Sequence, residues 1–533
     1  MADCIAYRNT NYFSDLMLDY LEEKENLRKF YGQFPKLENF KTQIEQKKSS
    51  FSTEQRKVLV QALQQQYQHV EASALTQENI TALAEQNTFT VTTGHQLNLF
   101  TGPLYFLYKI ISAINLAEEL KANNPNHHFV PVYWMASEDH DFEEINYFNF
   151  KDQKVQWSSN QAGAVGKFNT DGLAEVLKEF KPHLNESDAS EELVQLFEKA
   201  YVKHNTLTEA TRYIANQLFA EYGLVIIDGD DQDLKILFKT FVKEELLQQT
   251  SSEKVASSAE QLAAEGYKVQ VNPREINLFY LAEGIRERII KEEDFYIVHE
   301  TDLRFTEAEI LEELENHPER FSPNVIMRPL YQEVILPNLC YIGGGGEMAY
   351  WFELKDYFES QQIPFPILLL RNSALLISAK QKKKIENLEV NVEDLFLKQS
   401  DLRTKRTQEI SEIDIDFSTQ KQHLEQQFKD LYQLAEKTDK SFLGAVKAQE
   451  VKQLKGLDHL EKRLLKAQKR KLKDEVSRIA ALQNQLFPNK SLQERQTNFS
   501  EVYAMYGQEL LDTLFEHLNP LEQHFKILTF GTK

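Results

Sequence analysis

Two polar clusters in this chain combine residue types that can do chemistry. Glu138–Asp141, with the sequence EDHD, follows the apolar run His128–Met135, and Gly94–Gln96 follows the β-branched run Thr88–Thr93. Neighbouring carboxylates can hold Mg²⁺ or a substrate ammonium group, and a histidine between them can act as a general base. A histidine and a glutamine beside a helix N-terminus can contact a phosphate or a carboxylate. Either cluster could instead be a polar turn that caps a helix, so its chemistry depends on where the fold places it.

The segments around these clusters predict one βαβ unit. Thr88–Thr93 and His128–Met135 have the composition of buried strands. Between them, Thr101 or Gly102 can serve as the N-cap of a helix whose first turn contains Pro103. Two strands joined by such a helix run parallel, and their carboxyl ends reach the same edge of the sheet. We therefore expect both polar clusters to face one crevice.

Two arginines and a glycine run follow further apolar segments. Arg328 follows Asn324–Met327 and Arg371 follows Phe365–Leu370, and both segments are predicted to be strands. A guanidinium group suits fork-like binding of a carboxylate or phosphate, although a structural salt bridge explains either arginine equally well. The run Gly343–Gly346 matches neither Walker A nor GxGxxG and is more typical of a tight turn than of an anion site. With the βαβ unit and one further strand, five apolar segments end in polar clusters, which indicates a crevice built from strand ends.

Composition excludes several classes of protein. A net charge of −21 argues against a general nucleic-acid surface, because phosphate binding needs clustered cations. Cys4 and Cys340 lie far apart in the sequence and give neither a disulfide framework nor a metal-ligand pattern. The first residues lack the layout of a signal peptide, and no apolar run is long enough to span a membrane. We therefore expect a soluble, cytoplasmic protein with no metal site and no nucleic-acid or membrane partner.

The pattern along the chain predicts an α/β protein with a parallel-sheet core and a separate α-helical domain. Phe417, Leu424 and Leu431 recur every seven residues in a segment almost without glycine or proline, which is typical of a coiled coil. A turn near Thr438–Ser441 would fold this segment into an antiparallel hairpin. The predicted organisation is an N-terminal helical cap of the core at 1–87, the core at 88–379 with insertions at about 151–205 and 266–305, the coiled-coil domain at 380–490, and a C-terminal helical segment that returns to the core at 491–533.

Four long blocks of the sequence are chemically distinctive: TGHQLNLFTGPLYFLYK, PVYWMASEDHDFEEIN, RFSPNVIMRPLYQEVILPNLCYIGGGGEMAYWFELK and PFPILLLRNS. Together with LQERQTNFSEVYAMYG near the C-terminus, they resemble the cysteine-adding enzymes of bacillithiol biosynthesis, and the resemblance runs from about residue 5 to the end. It implies a Rossmann-like core with inserted connecting segments and a coiled-coil domain that supports a homodimer. It also implies the last step of bacillithiol biosynthesis, in which a ligase forms an amide bond between L-cysteine and the amino group of glucosaminyl-malate.

The implied reaction sets the requirements of the site. A free carboxylate is a poor electrophile, so the cysteine carboxyl group needs an activator. ATP with Mg²⁺ would supply one, through either an adenylate or an acyl phosphate, and the sequence leaves the activator open. We expect His140 to be the catalytic base and Glu138, Asp139 and Asp141 to bind the cysteine ammonium group. The expected substrate-binding residues are Gly94, His95, Gln96, Asn98, Thr101, Gly102, Arg328, Gln332, Glu347, Arg371 and Asn372.

Two other interpretations fit the same pattern. One is a nucleotidyltransferase or another ATP-dependent ligase on this core, with a different acid and amine. The other is a non-catalytic coiled-coil scaffold with a degenerate core. The polar strand ends favour an enzyme, because a scaffold has no need to bring arginine, aspartate, histidine and glutamine to one crevice.

Overall fold

A five-stranded parallel sheet lies at the centre of the fold in the computed structural model, which describes residues 3–151 and 153–531. The strands of the described residues are β1 (Asp3–Ala6), β2 (Thr88–His95), β3 (His128–Met135), β4 (Tyr147–Phe150), β5 (Gln153–Gln156), β6 (Val225–Asp228), β7 (Leu278–Ala282), β8 (Ile285–Glu292), β9 (Phe295–Val298), β10 (Arg304–Thr306), β11 (Phe321–Pro323), β12 (Asn338–Gly343), β13 (Ile367–Leu370), β14 (Ala374–Ser378) and β15 (His524–Phe530). Their α-helices are α1 (Tyr7–Thr10), α2 (Asp15–Leu21), α3 (Leu37–Ser50), α4 (Thr53–Gln66), α5 (Ala74–Ala82), α6 (Tyr105–Asn123), α7 (Phe142–Ile145), α8 (Leu173–Phe180), α9 (Asp188–Tyr201), α10 (Leu207–Phe219), α11 (Gln232–Ile236), α12 (Lys239–Gln248), α13 (Thr250–Ala264), α14 (Glu307–Asn316), α15 (Arg328–Ile335), α16 (Gly345–Trp351), α17 (Lys355–Ser360), α18 (Ala379–Asn387), α19 (Gln399–Glu409), α20 (Ser418–Ala435), α21 (Lys440–Lys471), α22 (Lys473–Leu486), α23 (Phe499–Tyr506) and α24 (Glu509–His517).

The central sheet has the strand order β13-β12-β2-β3-β6, and all of its strands run parallel. Every residue of β2 is buried, as expected for a strand that is covered on both faces. Helix α6 connects β2 to β3 and packs on both strands with side chains between Phe106 and Leu120. The prediction of an α/β protein with a parallel-sheet core is therefore confirmed. The carboxyl ends of the five strands meet at one edge of this sheet.

The segment Asn324–Met327 is a turn and not the strand that we predicted. The Asn324 side chain accepts hydrogen bonds from the backbone N–H groups of Ile326 and Met327, at 2.9 and 3.3 Å, and such local bonding competes with strand formation. Arg328 is therefore the first residue of helix α15. The strand that completes the central sheet is β12, whose end leads into the glycine run.

An antiparallel sheet with the order β10-β9-β8-β7-β11 occupies most of the second predicted insertion and extends beyond it to β11. Strand β8 carries arginines at alternate positions, Arg286 and Arg288, which place their side chains on the same face of the strand. This sheet reaches the candidate site with Phe279, Arg286 and Arg288.

Helices α20 and α21 form the antiparallel coiled-coil hairpin that the heptad spacing predicts. Phe428, Ala435 and Val446 are buried between the two helices. Lys421 on α20 pairs with two carboxylates of α21, Asp458 at 2.8 Å and Glu461 at 2.7 Å. Apolar burial and cross-helix ion pairs together fix the register of the hairpin.

A third sheet, with the order β1-β15-β14, joins distant parts of the chain. Strand β15 runs antiparallel to β1 and parallel to β14. The prediction of helix throughout residues 491–533 is wrong for part of the segment: up to residue 531, where the described residues end, α23, α24 and a 3-10 turn at Gln493–Arg495 are helical, but residues 524–530 form β15. Pairing with two strands from elsewhere in the sequence decides the structure of this segment, and a local pattern cannot show that pairing.

The Cys340 thiol does not have the surroundings of a nucleophile. Cys4 is exposed and Cys340 is buried. Burial raises the pKa of the Cys340 thiol well above its ordinary value, so the group stays protonated near neutral pH. No helix within residues 3–151 or 153–531 is long and apolar enough to cross a membrane.

Candidate active site

A cavity of about 880 Å³ lies at the edge of the central sheet where the strands end. The loops after β2, β3, β12 and β13 all reach it, so Gly94–Gln96 and Glu138–His140 face one crevice as the βαβ unit predicts. Its size is within the roughly 300–1,000 Å³ that is usual for small-molecule sites. The lining residues are Gly94, His95, Gln96, Tyr105, Lys109, Trp134, Met135, Ala136, Ser137, Glu138, Asp139, His140, Asn272, Arg274, Phe279, Arg286, Arg288, Pro323, Asn324, Val325, Ile326, Arg328, Tyr341, Gly344, Gly345, Gly346, Glu347, Tyr350, Arg371 and Arg495.

Lys109, on helix α6, joins two of these loops. Its ammonium group donates to the Gly94 carbonyl at 2.7 Å and pairs with Glu347 at 2.6 Å, and its side chain is only 5% exposed. Glu347 also accepts hydrogen bonds from the Gly344 backbone N–H at 2.8 Å and the Tyr341 hydroxyl at 2.9 Å. Burial acts to raise the pKa of Glu347, but Lys109 and these donors outweigh it, so the pKa lies below its ordinary value. One ion pair, between a buried lysine and a partly exposed glutamate, thus holds the glycine run against the end of β2.

The loop after β3 carries two carboxylates into the cavity wall, and their partners differ. Glu138 is buried and forms an ion pair with Lys235 at 2.5 Å. Asp139 accepts a hydrogen bond from the Gln96 side chain at 2.8 Å, which ties this loop to the loop after β2. Because Lys235 already neutralises Glu138, Asp139 is the better placed of the two to bind a substrate ammonium group.

His140 lies at the cavity with its side chain half exposed. Arg286 donates a hydrogen bond to its Nδ1 at 2.5 Å, and the ring of Phe279 lies 5.4 Å away. Burial first, and then the positive charge of Arg286, lower the pKa of His140, although nearby carboxylates oppose them. The imidazole is therefore neutral near pH 7, which is the protonation state that a general base requires.

His95, the last residue of β2, is a second neutral imidazole in the wall. Its ring packs against Tyr105 and Phe106 at 5.4 and 5.1 Å between centroids. Burial and the nearby charge of Lys109 lower the pKa of His95 well below its ordinary value. Among the described residues its buried Nε2 atom has no hydrogen-bond partner at normal distance and angle.

Basic side chains outnumber acidic ones in the cavity wall. The basic residues are Lys109, Arg274, Arg286, Arg288, Arg328, Arg371 and Arg495, and the acidic residues are Glu138, Asp139 and Glu347. Within the described ranges, the side chains of Arg274, Arg288 and Arg495 form neither a hydrogen bond nor an ion pair. Arg328 donates only to neutral groups, Gln332 at 3.1 Å and the Tyr350 hydroxyl at 3.4 Å. In a chain of net charge −21, this local excess of unpaired cations makes the cavity electrostatically favourable for anions.

Six of the predicted site residues lie outside the wall: Asn98, Thr101, Gly102, Asp141, Gln332 and Asn372. Asp141 instead caps helix α7, because its carboxylate accepts the Glu144 backbone N–H at 3.3 Å. Gln332 orients Arg328 through the hydrogen bond described above. Asn372 donates to the Asn519 carbonyl at 2.7 Å and ties the end of β13 to the C-terminal segment. These polar residues support the cavity wall and do not form it.

Several wall residues were not among the predicted site residues, above all Lys109, Arg274, Arg286, Arg288 and Arg495. The spacing of Arg286 and Arg288 was the available signal, since alternate residues of a strand share a face. Lys109 lies within a predicted helix whose other side chains are largely apolar. Arg274 and Arg495 come from irregular segments, where spacing carries no information about direction.

An irregular segment at 267–277 brings Arg274 to the cavity, and Glu353 anchors it. Glu353 is fully buried, and its carboxylate accepts the backbone N–H groups of Gln270 at 2.6 Å and Val271 at 3.3 Å. Burial nevertheless raises the pKa of Glu353 to about 7. The attachment of this segment is therefore linked to the protonation of a buried acid.

We expect Glu353 to make the protein less stable as the pH rises from about 4.5 to about 7. In this window the unfolded chain has lost the Glu353 proton and the folded protein still holds it, so the free energy of unfolding falls by about 3 kcal/mol in all. Glu353→Gln removes this contribution. Urea denaturation at about pH 5 and about pH 8 should show the variant gaining that amount relative to wild type at the higher pH. A constant difference between the two proteins would contradict the prediction.

Comparison with known proteins identifies the family. Residues 1–372 match the model "Bacillithiol biosynthesis BshC, N-terminal Rossmann-like domain", and residues 374–530 match "Bacillithiol biosynthesis BshC, C-terminal coiled-coil domain". Relatives from Christiangramia forsetii and Flavobacterium johnsoniae are 59% and 58% identical over 533 and 527 residues, covering 99% of both chains in each case. A relative from Cytophaga hutchinsonii is 39% identical over 516 residues, 97% of this chain and 96% of its own. All three carry the provisional name of cysteine ligase BshC. This chain belongs to the BshC family of bacillithiol biosynthesis.

Proposed function

We propose that this protein is the ligase that joins the carboxyl group of L-cysteine to the amino group of glucosaminyl-malate in the last step of bacillithiol biosynthesis. The names of its relatives support the reaction class. The observation that carries the proposal is the basic wall of the cavity at the strand ends. The malate part of the acceptor and the phosphates of an activator are both anionic, and unpaired arginines suit both.

The cavity fits an anionic activator such as ATP with Mg²⁺. Three buried polar atoms of the wall have no hydrogen-bond partner in the part of the chain that the structure describes: His95 Nε2, Arg286 Nε and Arg371 Nε. A Cβ atom added at Gly346 would meet nothing within 4 Å, so the glycine run borders open space. Gly344–Gly346 and Arg371 would hold the phosphates. When bound, the nucleotide supplies the activation that a free carboxylate lacks.

The protein's own residues then bind the two substrates and move one proton. Asp139, which has no cationic partner at hydrogen-bond distance among the described residues, binds the cysteine ammonium group. His140, neutral near pH 7, would accept the proton that the sugar amine loses as its nitrogen bonds to the carboxyl carbon, while the bond from that carbon to one carboxyl oxygen breaks and this oxygen leaves with the activating group. The guanidinium carbon of Arg328 lies 5.8 Å from the centre of the Trp134 ring and 5.7 Å from that of Tyr341, and this group binds a carboxylate of the acceptor.

The coiled-coil hairpin supports our further proposal of a homodimer. Its helices expose apolar side chains, with Leu434 at 54% and Leu460 at 53%. Such residues on a hairpin surface are typical of a face that packs against another helix. We also propose that the protein works in the cytoplasm, where thiols such as Cys4 and Cys340 remain reduced.

Thiol profiling by mass spectrometry tests the proposed reaction. A strain that lacks this gene should lose bacillithiol and accumulate glucosaminyl-malate, and the wild-type gene should restore the thiol. His140→Ala should restore no more than about 1% of it, because loss of a general base typically lowers the rate by 10²–10⁴-fold. The control is His459→Ala, which changes an exposed histidine of the hairpin and should rescue fully. Normal bacillithiol in the deletion strain, with no second copy of the gene, would refute the proposal.

A further inference from the structure

The guanidinium group of Arg286 occupies the basic nitrogen of His140. Arg286 donates to His140 Nδ1 at 2.5 Å, and a neutral imidazole whose Nδ1 accepts a hydrogen bond carries its own proton on Nε2. The lone pair of Nδ1 then accepts from arginine, and Nε2 carries the ring proton. In this arrangement His140 has no free lone pair with which to take a proton from a substrate.

Arg286 itself has weak partners for a buried cation. Its residue is only 8% exposed, and its guanidinium carbon lies 4.0 Å from the centre of the Phe279 ring. Its Nε atom has no hydrogen-bond partner in residues 3–151 and 153–531, and no carboxylate of those ranges forms an ion pair with it. Burial lowers the pKa of Arg286, which shows that the more distant carboxylates do not fully compensate for its desolvation. A buried guanidinium held by one neutral ring nitrogen is poised to accept a better partner.

An anion in the cavity is that better partner. A carboxylate or a phosphate can accept two parallel hydrogen bonds from a guanidinium group, and each is roughly twice as strong as a bond between neutral groups. The hydrogen bond from Arg286 to His140, by contrast, has a neutral acceptor, the Nδ1 atom. We propose that Arg286 masks the basic nitrogen of His140 in the free protein, and that an anionic substrate group draws the guanidinium away and exposes the base.

This device makes proton abstraction depend on a filled anion site. It deepens the proposed function, because it assumes that His140 is the base of the proposed ligase. The groups that face His140 are Arg286 and Glu287 from β8, the Phe279 ring from β7, and Asp139 and Asp141 from its own loop. Of these, only Arg286 donates a hydrogen bond to the ring within the described chain.

Chemical modification of His140 tests the masking. Diethyl pyrocarbonate attacks an unprotonated imidazole nitrogen, and peptide mass spectrometry of the full-length protein gives the rate at each histidine. At about pH 7, Arg286→Gln should raise the rate at His140 by about tenfold, which corresponds to one hydrogen bond from a charged donor. Inorganic phosphate should raise the rate at His140 in the wild type and leave the variant unchanged.

The matched control is Arg304→Gln. Arg304 lies on β10 of the same sheet and stacks on Phe295, 3.3 Å from its ring centre, but it does not line the cavity. Its substitution should leave the rate at His140 at the wild-type value. Equal rates in wild type and Arg286→Gln, or no effect of phosphate on the wild type, would overturn the proposal. If Arg286→Gln fails to fold, as its thermal melt would show, the phosphate measurement on the wild type decides.

The modification assay does not require catalytic turnover, so one of the two proposals can be refuted while the other stands. If the protein makes no bacillithiol but shows the expected modification rates at His140, the ligase proposal is refuted and the masking proposal stands. If the protein is an active ligase but neither Arg286→Gln nor phosphate changes the modification rate at His140, the ligase proposal stands and the masking proposal is refuted.

Discussion

Arg371→Met should abolish ligation and lower the free energy of unfolding by about 3–5 kcal/mol, the usual effect of removing one partner of a buried ion pair. Arg371 is 4% exposed and pairs with Glu494 at 2.7 Å, and Glu494 is fully buried. Methionine would leave that carboxylate without its counter-ion. It would also remove from the cavity wall the guanidinium whose Nε is unpartnered in the described chain. Urea denaturation and the rate of bacillithiol formation measure the two losses.

The double variant Arg371→Met, Glu494→Gln separates structure from binding. Glutamine keeps an acceptor for the Ala374 backbone N–H, which lies 3.1 Å from Glu494, and carries no charge. Most of the stability should therefore return, because replacing both partners of a buried pair is often close to neutral. Ligation should stay at least about 100-fold below wild type, since a charged fork-like contact contributes about 3 kcal/mol. Full activity in the double variant would show that Arg371 is only the structural salt bridge that its sequence also allowed.

Lys47→Met provides the comparison for that experiment. Lys47 forms a buried ion pair with Glu333 at 3.0 Å, and neither residue lines the cavity. The same chemical change should therefore lower stability by a similar amount without changing the KM for either substrate.

Lys109→Met is expected to have the second largest effect. It removes the ammonium group that bonds both the Gly94 carbonyl and Glu347, so it leaves a carboxylate unpaired beside the glycine run. Because the Glu347 side chain is 27% exposed and water can partly solvate it, we expect a stability loss of about 1–3 kcal/mol, less than for a fully buried pair. Because the loops after β2 and β12 lose their shared contact, we also expect kcat to fall by about 100-fold, the usual effect of misplacing a reacting group by about 1 Å.

Glu347→Gln tests whether Lys109→Met acts by removing the charge of the ion pair or by misplacing the glycine run. Glutamine can still accept the Gly344 backbone N–H, which lies 2.8 Å from Glu347, so the glycine run keeps its local hydrogen bond. Activity in Glu347→Gln should therefore exceed that in Lys109→Met, with kcat affected more than KM in both. A change confined to KM would contradict the positioning role and assign Lys109 to substrate binding.

The central part of the site was predictable because it depends on sheet geometry. Parallel strands bring their carboxyl ends together, so Gly94–Gln96 and Glu138–His140 converge whatever else the chain does. The arginines of β8 were not predictable in the same way. Their approach to the cavity depends on how an antiparallel insertion packs against the core, and no periodicity within the insertion records that contact.

Hydrogen bonds between a side chain and the nearby backbone explain two of the differences between the prediction and the structure. Asp141 lies three residues before Glu144 and accepts its backbone N–H, the usual geometry of a helix N-cap, so its carboxylate is occupied by the backbone. Asn324 likewise bonds the backbone N–H groups just after it and prevents strand formation. In both cases a short side chain accepts hydrogen bonds from nearby backbone N–H groups. The pattern of apolar residues in the sequence does not reveal such hydrogen bonds.

The strand β15 has a consequence for how the protein is made. It lies between β1 and β14, so two segments that are synthesised early can be joined only after residue 530 has left the ribosome. Glu494, the partner of Arg371, is also synthesised more than 100 residues after that arginine. A nascent chain therefore carries an unpaired edge on β14 and an uncompensated arginine until Glu494 and residues 524–530 have been synthesised. Such open edges attract other chains, so a chaperone that shields β14 during translation would raise the yield of active protein.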